Sequence, residues 1–303
     1  MHRNPSFLRK LLPASFADYR NTLPQYLIPK RLLSRLMHAL TRSRWRAWKT
    51  WQIDWFIRRY QVNMNLAKIS DPRSYADFNS FFTRELRGDV RTVATGVDEI
   101  ACPVDGHVSQ VGAIDDGRIF QAKGHYYQLE QLLGGSASRA TPFKNGCFAT
   151  LYLSPKDYHR IHMPLRGRLR EMTYVPGRLF GVNAGTACVV PGLFARNERV
   201  ICIFDTDAGP MALILVGALF VASMETVWSG VVTSPSARTA TTWNYDATAN
   251  SVILERGAEM GRFNMGSTVI VLFGPGSMRW DPAVQPEAPI LMGQLLGSLI
   301  KQN

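Results

Sequence analysis

Three short stretches of this chain carry side chains able to do covalent chemistry. Asp105 precedes Gly106 in "PVDGHVS", His159 and His162 lie three apart in "YLSPKDYHRIHMP", and Gly266-Ser267-Thr268 interrupts the apolar run "GRFNMGSTVIVLF". Each has an ordinary reading when taken alone. Asp-Gly between apolar runs makes a hairpin turn. Two neighbouring histidines are structural, or part of a metal site. A glycine inside a strand marks a bulge or a close backbone approach. Together, a carboxylate, an imidazole and a hydroxyl are the parts that activate a serine nucleophile. Metal chemistry has less support, because no His-Glu-x-x-His occurs and no further ligand set stands at useful spacing, so no metal is expected. Cys102, Cys147, Cys188 and Cys202 contain no Cys-x-x-Cys pair and read as buried thiols in a reducing compartment.

The elements that must position these groups follow from the texture of the chain. At 303 residues, 46% hydrophobic and 19% charged, it is long enough for a large core plus an appendage. From about residue 97, short apolar runs rich in Val and Ile are punctuated by Gly and Pro, the pattern of a predominantly antiparallel β domain. "ALILVGALFVA" is too short to span a bilayer and reads as buried strand. Before it, "SYADFNSFFTREL" predicts a helix over Ser74–Leu86, with Ser74 and Asp77 as a capping pair and Tyr75, Phe78, Phe82 and Leu86 on one face. The expected class is α+β: N-terminal basic amphipathic helices, residues 1–90, followed by a β-rich catalytic domain, residues 91–303. No repeat or low-complexity linker separates the two.

The charge is unevenly placed. Of a net +12, residues 1–60 hold +11, with thirteen Lys and Arg against two acids, and they also carry Trp45, Trp48, Trp51 and Trp55. Leu32, Leu33, Leu36, Met37 and Leu40 recur there at helical spacing. Arginine mixed with tryptophan on an amphipathic helix is the pattern of a segment lying among anionic headgroups, with Trp45, Trp48 and Trp55 as its docking residues. Two other readings stay open: a solvated face of helices packed on the body, and nucleic-acid binding, although no nucleic-acid-binding signature is found. No run of eighteen apolar residues exists and the N-terminus lacks a secretory core, which points to a peripheral protein on the cytoplasmic side of the membrane.

Six segments in order, "VDG", "DYHRIHMP", "LFGVN", "NERV", "VGALFVAS" and "GAEMGRFNMGSTVI", together with the preceding "SFFTREL", resemble the phosphatidylserine decarboxylase family across roughly residues 75–275. Met265 stands where bacterial members commonly have leucine, a volume-conserving difference.

The resemblance implies a proenzyme that cuts itself between Gly266 and Ser267, into fragments 1–266 and 267–303 that remain associated. Ser267 Oγ would attack the Gly266 carbonyl, and the resulting ester would eliminate and hydrolyse to a pyruvoyl group on residue 267. A glycine there leaves the carbonyl unshielded. His162, oriented by Asp105, would be the base of self-cleavage, and His159 would donate the proton in decarboxylation, since imidazole titrates near neutral pH. The pyruvoyl group would be the cofactor and phosphatidylserine in an anionic membrane the partner; the resemblance also implies a homodimer and no nucleic acid. Two rivals remain at this stage, a self-cleaving hydrolase with Ser267 as N-terminal nucleophile and a non-catalytic membrane adaptor.

Overall fold

The computed structural model describes residues 15–300 apart from 123, 220–222, 234–237, 246–250 and 266. Its centre is a large antiparallel sheet. The strands used below are β1 (Gly106–Ala113), β2 (Cys147–Leu153), β3 (Arg160–His162), β4 (Gly167–Val175), β5 (Arg199–Thr206), β6 (Gly209–Gly217), β7 (Met224–Thr226), β8 (Glu259–Phe263) and β9 (Ser267–Phe273). The order runs from Thr241–Asn244 through β4, β5, β6, β9, β2 and β1 to Pro289–Ile290. A smaller sheet joins Gly230–Val231, β7, β8 and β3.

The continuous apolar runs follow from burial on both faces. Every residue of β9 is buried; Val269, Val271 and Phe273 enter one core, and Ile270 and Leu272 enter the other. A strand covered on both sides has no polar face to alternate with, which is why "STVIVLF" does not read hydrophobic-in, polar-out.

The helices are α1 (Phe16–Thr22), α2 (Lys30–Thr41), α3 (Arg46–Tyr60) and α4 (Phe78–Phe82). The Ser74–Leu86 helix expected from sequence is much shorter. Pro72–Ser74 is a 3-10 turn, Ser74 Oγ donates to Asp71, and the capping box is formed by Asp77 with Ser80. Asp77 is extended and accepts from Ser80 N at 2.8 Å, so the N-cap is Asp77, three residues later than the expected Ser74. It also ends early: Leu86 leaves to form a bridge with Ala67 instead of extending the helical face.

The helical region is fastened to the β body at several points. Gln25 accepts from Gly181 N at 2.8 Å and donates to Thr186. The inner face of α3 puts Ile53 and Phe56 into an aromatic cluster with Tyr75, Phe78, Phe81 and Phe82, against which Met265 packs. The outer face mixes tryptophan with arginine: Trp51, Trp55, Arg46, Arg58 and Arg59 are all exposed. Trp45 and Trp55 are exposed, at 72% and 46%, whereas Trp48 is half-buried, donates to Leu40 O at 3.2 Å and stacks on Trp51. Trp51, outside the expected docking trio, is 54% exposed. Among the described residues no helix is long and apolar enough to cross a membrane.

Candidate active site

Ser267 opens β9, where it pairs with Leu153 of β2 on one side and Gly217 of β6 on the other. It is fully buried, and its hydroxyl has no hydrogen-bond partner among the described residues. An unpartnered buried hydroxyl costs about 1–3 kcal/mol, so its presence needs a reason. Gly266 lies outside the described residues. The segment before it is tightly held: Asn264 donates to Ser223 Oγ and Glu225 Oε1, both at 2.6 Å, and accepts from Asn79 at 3.0 Å. Met265 has φ +121°, a region that a side chain with a Cβ rarely enters. Strain of about 1–3 kcal/mol is therefore stored one residue ahead of the Gly266-Ser267 pair.

His159 and His162 flank or lie on β3, which pairs with β8 just upstream of that segment. The His159 ring is fully buried and stacked on Phe82, with centroids 4.1 Å apart. Nε2 meets the Ser154 carbonyl at 3.1 Å, and a carbonyl only accepts, so Nε2 carries the proton. Ser154 directly follows Leu153, the register partner of Ser267. Nδ1 is left bare and without a partner. Burial, and then the nearby Arg84 charge, push the His159 pKa down to about 3. The ring is therefore neutral near pH 7 rather than titrating there as expected from its type.

His162 is arranged differently. Nδ1 donates to Gly257 O at 2.8 Å, which leaves Nε2 to accept from the Tyr158 hydroxyl at 3.0 Å. Burial lowers its pKa, partly offset by the Gly257 hydrogen bond.

Asp105 does not turn a hairpin. It precedes β1, and Gly106 is required because a Cβ there would lie 2.2 Å from Tyr152 O. The buried carboxylate is gripped by Arg91, with Nε 2.9 Å from Oδ1 and Nη2 2.5 Å from Oδ2, and by Met292 N at 2.8 Å. Among the described residues it makes no hydrogen bond to His162, so the expected orienting contact is absent: the ring's hydrogen bonds go to Gly257 and Tyr158, and the Asp105 charge is a smaller influence on the ring than Glu259 or Arg160.

A model of the phosphatidylserine decarboxylase family matches residues 78–298, and a second, described as PSD, matches residues 21–61. The chain is 55% identical over 282 residues to the phosphatidylserine decarboxylase proenzyme of Bordetella petrii, covering 93% of this chain and 98% of that one. The protein of the same name from Pseudomonas aeruginosa is 54% identical over 290 residues, 95% of this chain and all of that one. The chain belongs to the phosphatidylserine decarboxylase family.

Asp105, His159, His162 and Ser267 all fall inside the longer family match, and α2 and α3 fall inside the shorter one. Several residues of this decarboxylase-family site escaped the reading of the sequence. Tyr158 and Phe82 sat within the motifs already quoted, the first four residues before His162, and could have been suspected from that. Arg84, in "SFFTREL", is buried with Nε and Nη1 unpartnered, and its charge helps to keep His159 neutral. Arg91 had no local signal, because its partner is fourteen residues away.

Proposed function

We infer that this chain is a self-processing proenzyme whose cut form converts phosphatidylserine to phosphatidylethanolamine and carbon dioxide. The observation that carries the reading is Ser267: a buried, unpartnered hydroxyl at the head of a clamped strand, two residues after a strained Met265. In the proposed cleavage, Ser267 Oγ attacks the Gly266 carbonyl carbon, the Gly266–Ser267 C–N bond breaks, and the hydroxyl proton ends on the freed amine. Loss of the Ser267 Cα proton then expels Gly266 as a carboxylate and leaves dehydroalanine, which takes up water and releases ammonia to become pyruvoyl. Burial of Ser267 in the uncut chain disfavours hydrolysis of the ester relative to elimination, and water is needed at residue 267 only after the Gly266 carboxylate has left.

The surroundings fit such a group. Two polar atoms without partners, Ser267 Oγ and His159 Nδ1, are buried near the end of the β2–β9 ladder. When formed, the pyruvoyl carbonyl supplies an electron sink for the charge left as carbon dioxide departs. His162 is the proposed base for cleavage, with Asp105 biasing it by charge and Tyr158 relaying the proton to Nε2. His159 is the proposed donor to the decarboxylated carbon; loading Nδ1 with a proton requires anionic charge beside it, which the substrate carboxylate carries. The bare Nδ1 favours a second reading, in which His159 shares the cleavage step while Tyr158 occupies Nε2 of His162.

Residues 267–303 are proposed to stay with the rest after cleavage. β9 is hydrogen-bonded on both sides, and its five apolar side chains each contribute about 1.5–3 kcal/mol by burial. Residues 1–90 are proposed as the docking region on the anionic cytoplasmic face of the membrane, with residues 91–303 as the catalytic unit. The exposed tryptophans and the +11 of the first sixty residues support this. A homodimer is part of the proposal on the family likeness alone.

Denaturing electrophoresis with intact mass measurement tests the central claim. The expected result is a 37-residue fragment, residues 267–303, lighter than its serine form by one ammonia and resistant to Edman degradation, because a keto group replaces the free amine. A free serine amine on that fragment with undiminished turnover would overturn the pyruvoyl mechanism and leave a hydrolase-type nucleophile.

A further inference from the structure

Where α2 meets the β body lies a cavity of about 830 Å³ whose charged lining is Lys30, Arg35, Arg178, Arg196 and Arg238, with no carboxylate among its described lining residues. The cations come from separate segments brought together by the fold. Lys30 opens α2. Arg178 and Arg196 are held side by side because Arg178 N donates to Arg196 O and Glu198 N donates to Arg178 O, each at 2.8 Å. Two of the cations share one ring: Lys30 Nζ lies 3.2 Å from the centroid of Phe180, and the Arg196 guanidinium lies 5.5 Å from it.

Burial, then the charges of Arg178 and Arg196, lower the Lys30 pKa to about 8. Like charges crowded into a partly buried wall repel one another, and an anion among them relieves that repulsion through charge-assisted hydrogen bonds. The surroundings also select what carries the anion. Tyr26 and Leu32 line the cavity, and both are exposed, as are Leu27 and Leu36 nearby on the same helical segment. A ligand with a charged head and an apolar tail satisfies both parts.

We propose that this cavity receives the phosphate ester of an acidic phospholipid headgroup, with the acyl chains lying along the exposed leucines of α2 and the turn before it. None of Asp105, His159, His162 or Ser267 contributes to it. The proposal rests on the membrane-docking reading and adds a specific site to it.

The test uses the full-length protein and vesicles of phosphatidylcholine with phosphatidylglycerol as the acidic lipid, whose negative surface attracts basic segments. Arg178→Gln/Arg196→Gln is compared with Arg58→Gln/Arg59→Gln, which removes the same charge from the far end of α3. Circular dichroism melting checks that both fold, and Lys30→Gln provides a second pocket variant. The pocket double variant is expected to lose at least about tenfold more vesicle affinity than its charge-matched control, because it removes both diffuse attraction and direct phosphate contacts. Equal losses from the two double variants would overturn the pocket while leaving general docking intact. No binding of wild-type protein to these vesicles would overturn the docking reading as well. In a calorimetric arm with inorganic phosphate, saturation of wild type at concentrations where the vesicles still compete poorly would assign the site to free phosphate and overturn the lipid.

Discussion

The outer face of α2 and α3 and the interior of β9 treat apolar and polar groups in opposite ways. On the helices, Leu32 and Leu36 of α2 and Trp51 and Trp55 of α3 are exposed, while Ile53 and Phe56 of α3 turn into an aromatic core. On β9, a serine and a threonine hydroxyl are buried without partners among Val, Ile, Leu and Phe. Each arrangement costs stability if folding is its only purpose. The first makes sense for a surface that meets lipid, and the second for a hydroxyl kept from water until it reacts. The two regions touch through the aromatic cluster: Phe56 of α3 packs on Phe78, Phe81 and Phe82, and Phe82 stacks on His159.

The largest expected effect breaks the buried side of this comparison alone. Ser267→Ala removes the attacking oxygen, so electrophoresis should find a single uncut chain with no measurable decarboxylation, while vesicle binding stays at the wild-type level. His162→Ala should also leave the chain uncut. His159→Ala should cut but release carbon dioxide at least about 100-fold more slowly, the usual scale for loss of a general acid. An uncut His159→Ala protein would support the shared cleavage role instead.

Acid sharpens the comparison next, because the exposed basic helices keep their arginine charges throughout the range in which the buried histidines respond. Both His159 and His162 have folded-state pKa values lowered below the usual 6.5, chiefly by burial. The unfolded chain therefore binds more protons below pH 6.5. The stabilising effect of keeping these rings neutral is fully present above pH 6.5 and is lost as pH falls, for His159 down to about 3. Each ring contributes a slope of up to about 1.4 kcal/mol per pH unit in that window. Urea unfolding of Ser267→Ala between pH 7.5 and 4.5 should follow this slope, and His159→Phe should flatten it.

The smallest effect concerns the outer face. Trp51→Ala/Trp55→Ala should weaken vesicle binding in high salt, where charge attraction is screened, with little change in melting temperature. Trp48→Ala should do the reverse, since its half-buried indole bonds Leu40 O and ties α3 to the end of α2. Flotation and thermal melting of the same samples separate the two outcomes.

Much of this was legible in the chain. Strands announced themselves by apolar runs bounded by Gly and Pro, and the proposed reactive group rests on the joint presence of Asp105, two histidines and Gly266-Ser267. The Ser74–Leu86 helix was overextended because periodicity registers which residues are buried and not how the backbone buries them; Tyr75 and Phe82 share a cluster without sharing one helix. Trp48 and Trp51 could not be told apart for a similar reason, since facing inward or outward on α3 depends on what packs beneath it.

Local sequence by itself determined the strand interiors, the charge asymmetry of the first sixty residues and the chemical parts available for a serine nucleophile, because composition and spacing set these directly. Only the tertiary structure decided which nitrogen of each histidine is free, that Asp105 answers to Arg91 and Met292, and that Lys30, Arg178 and Arg196 share one cavity. Those outcomes depend on burial and on hydrogen-bond partners far away along the chain, and a side chain's proton affinity is set by the groups that surround it in space.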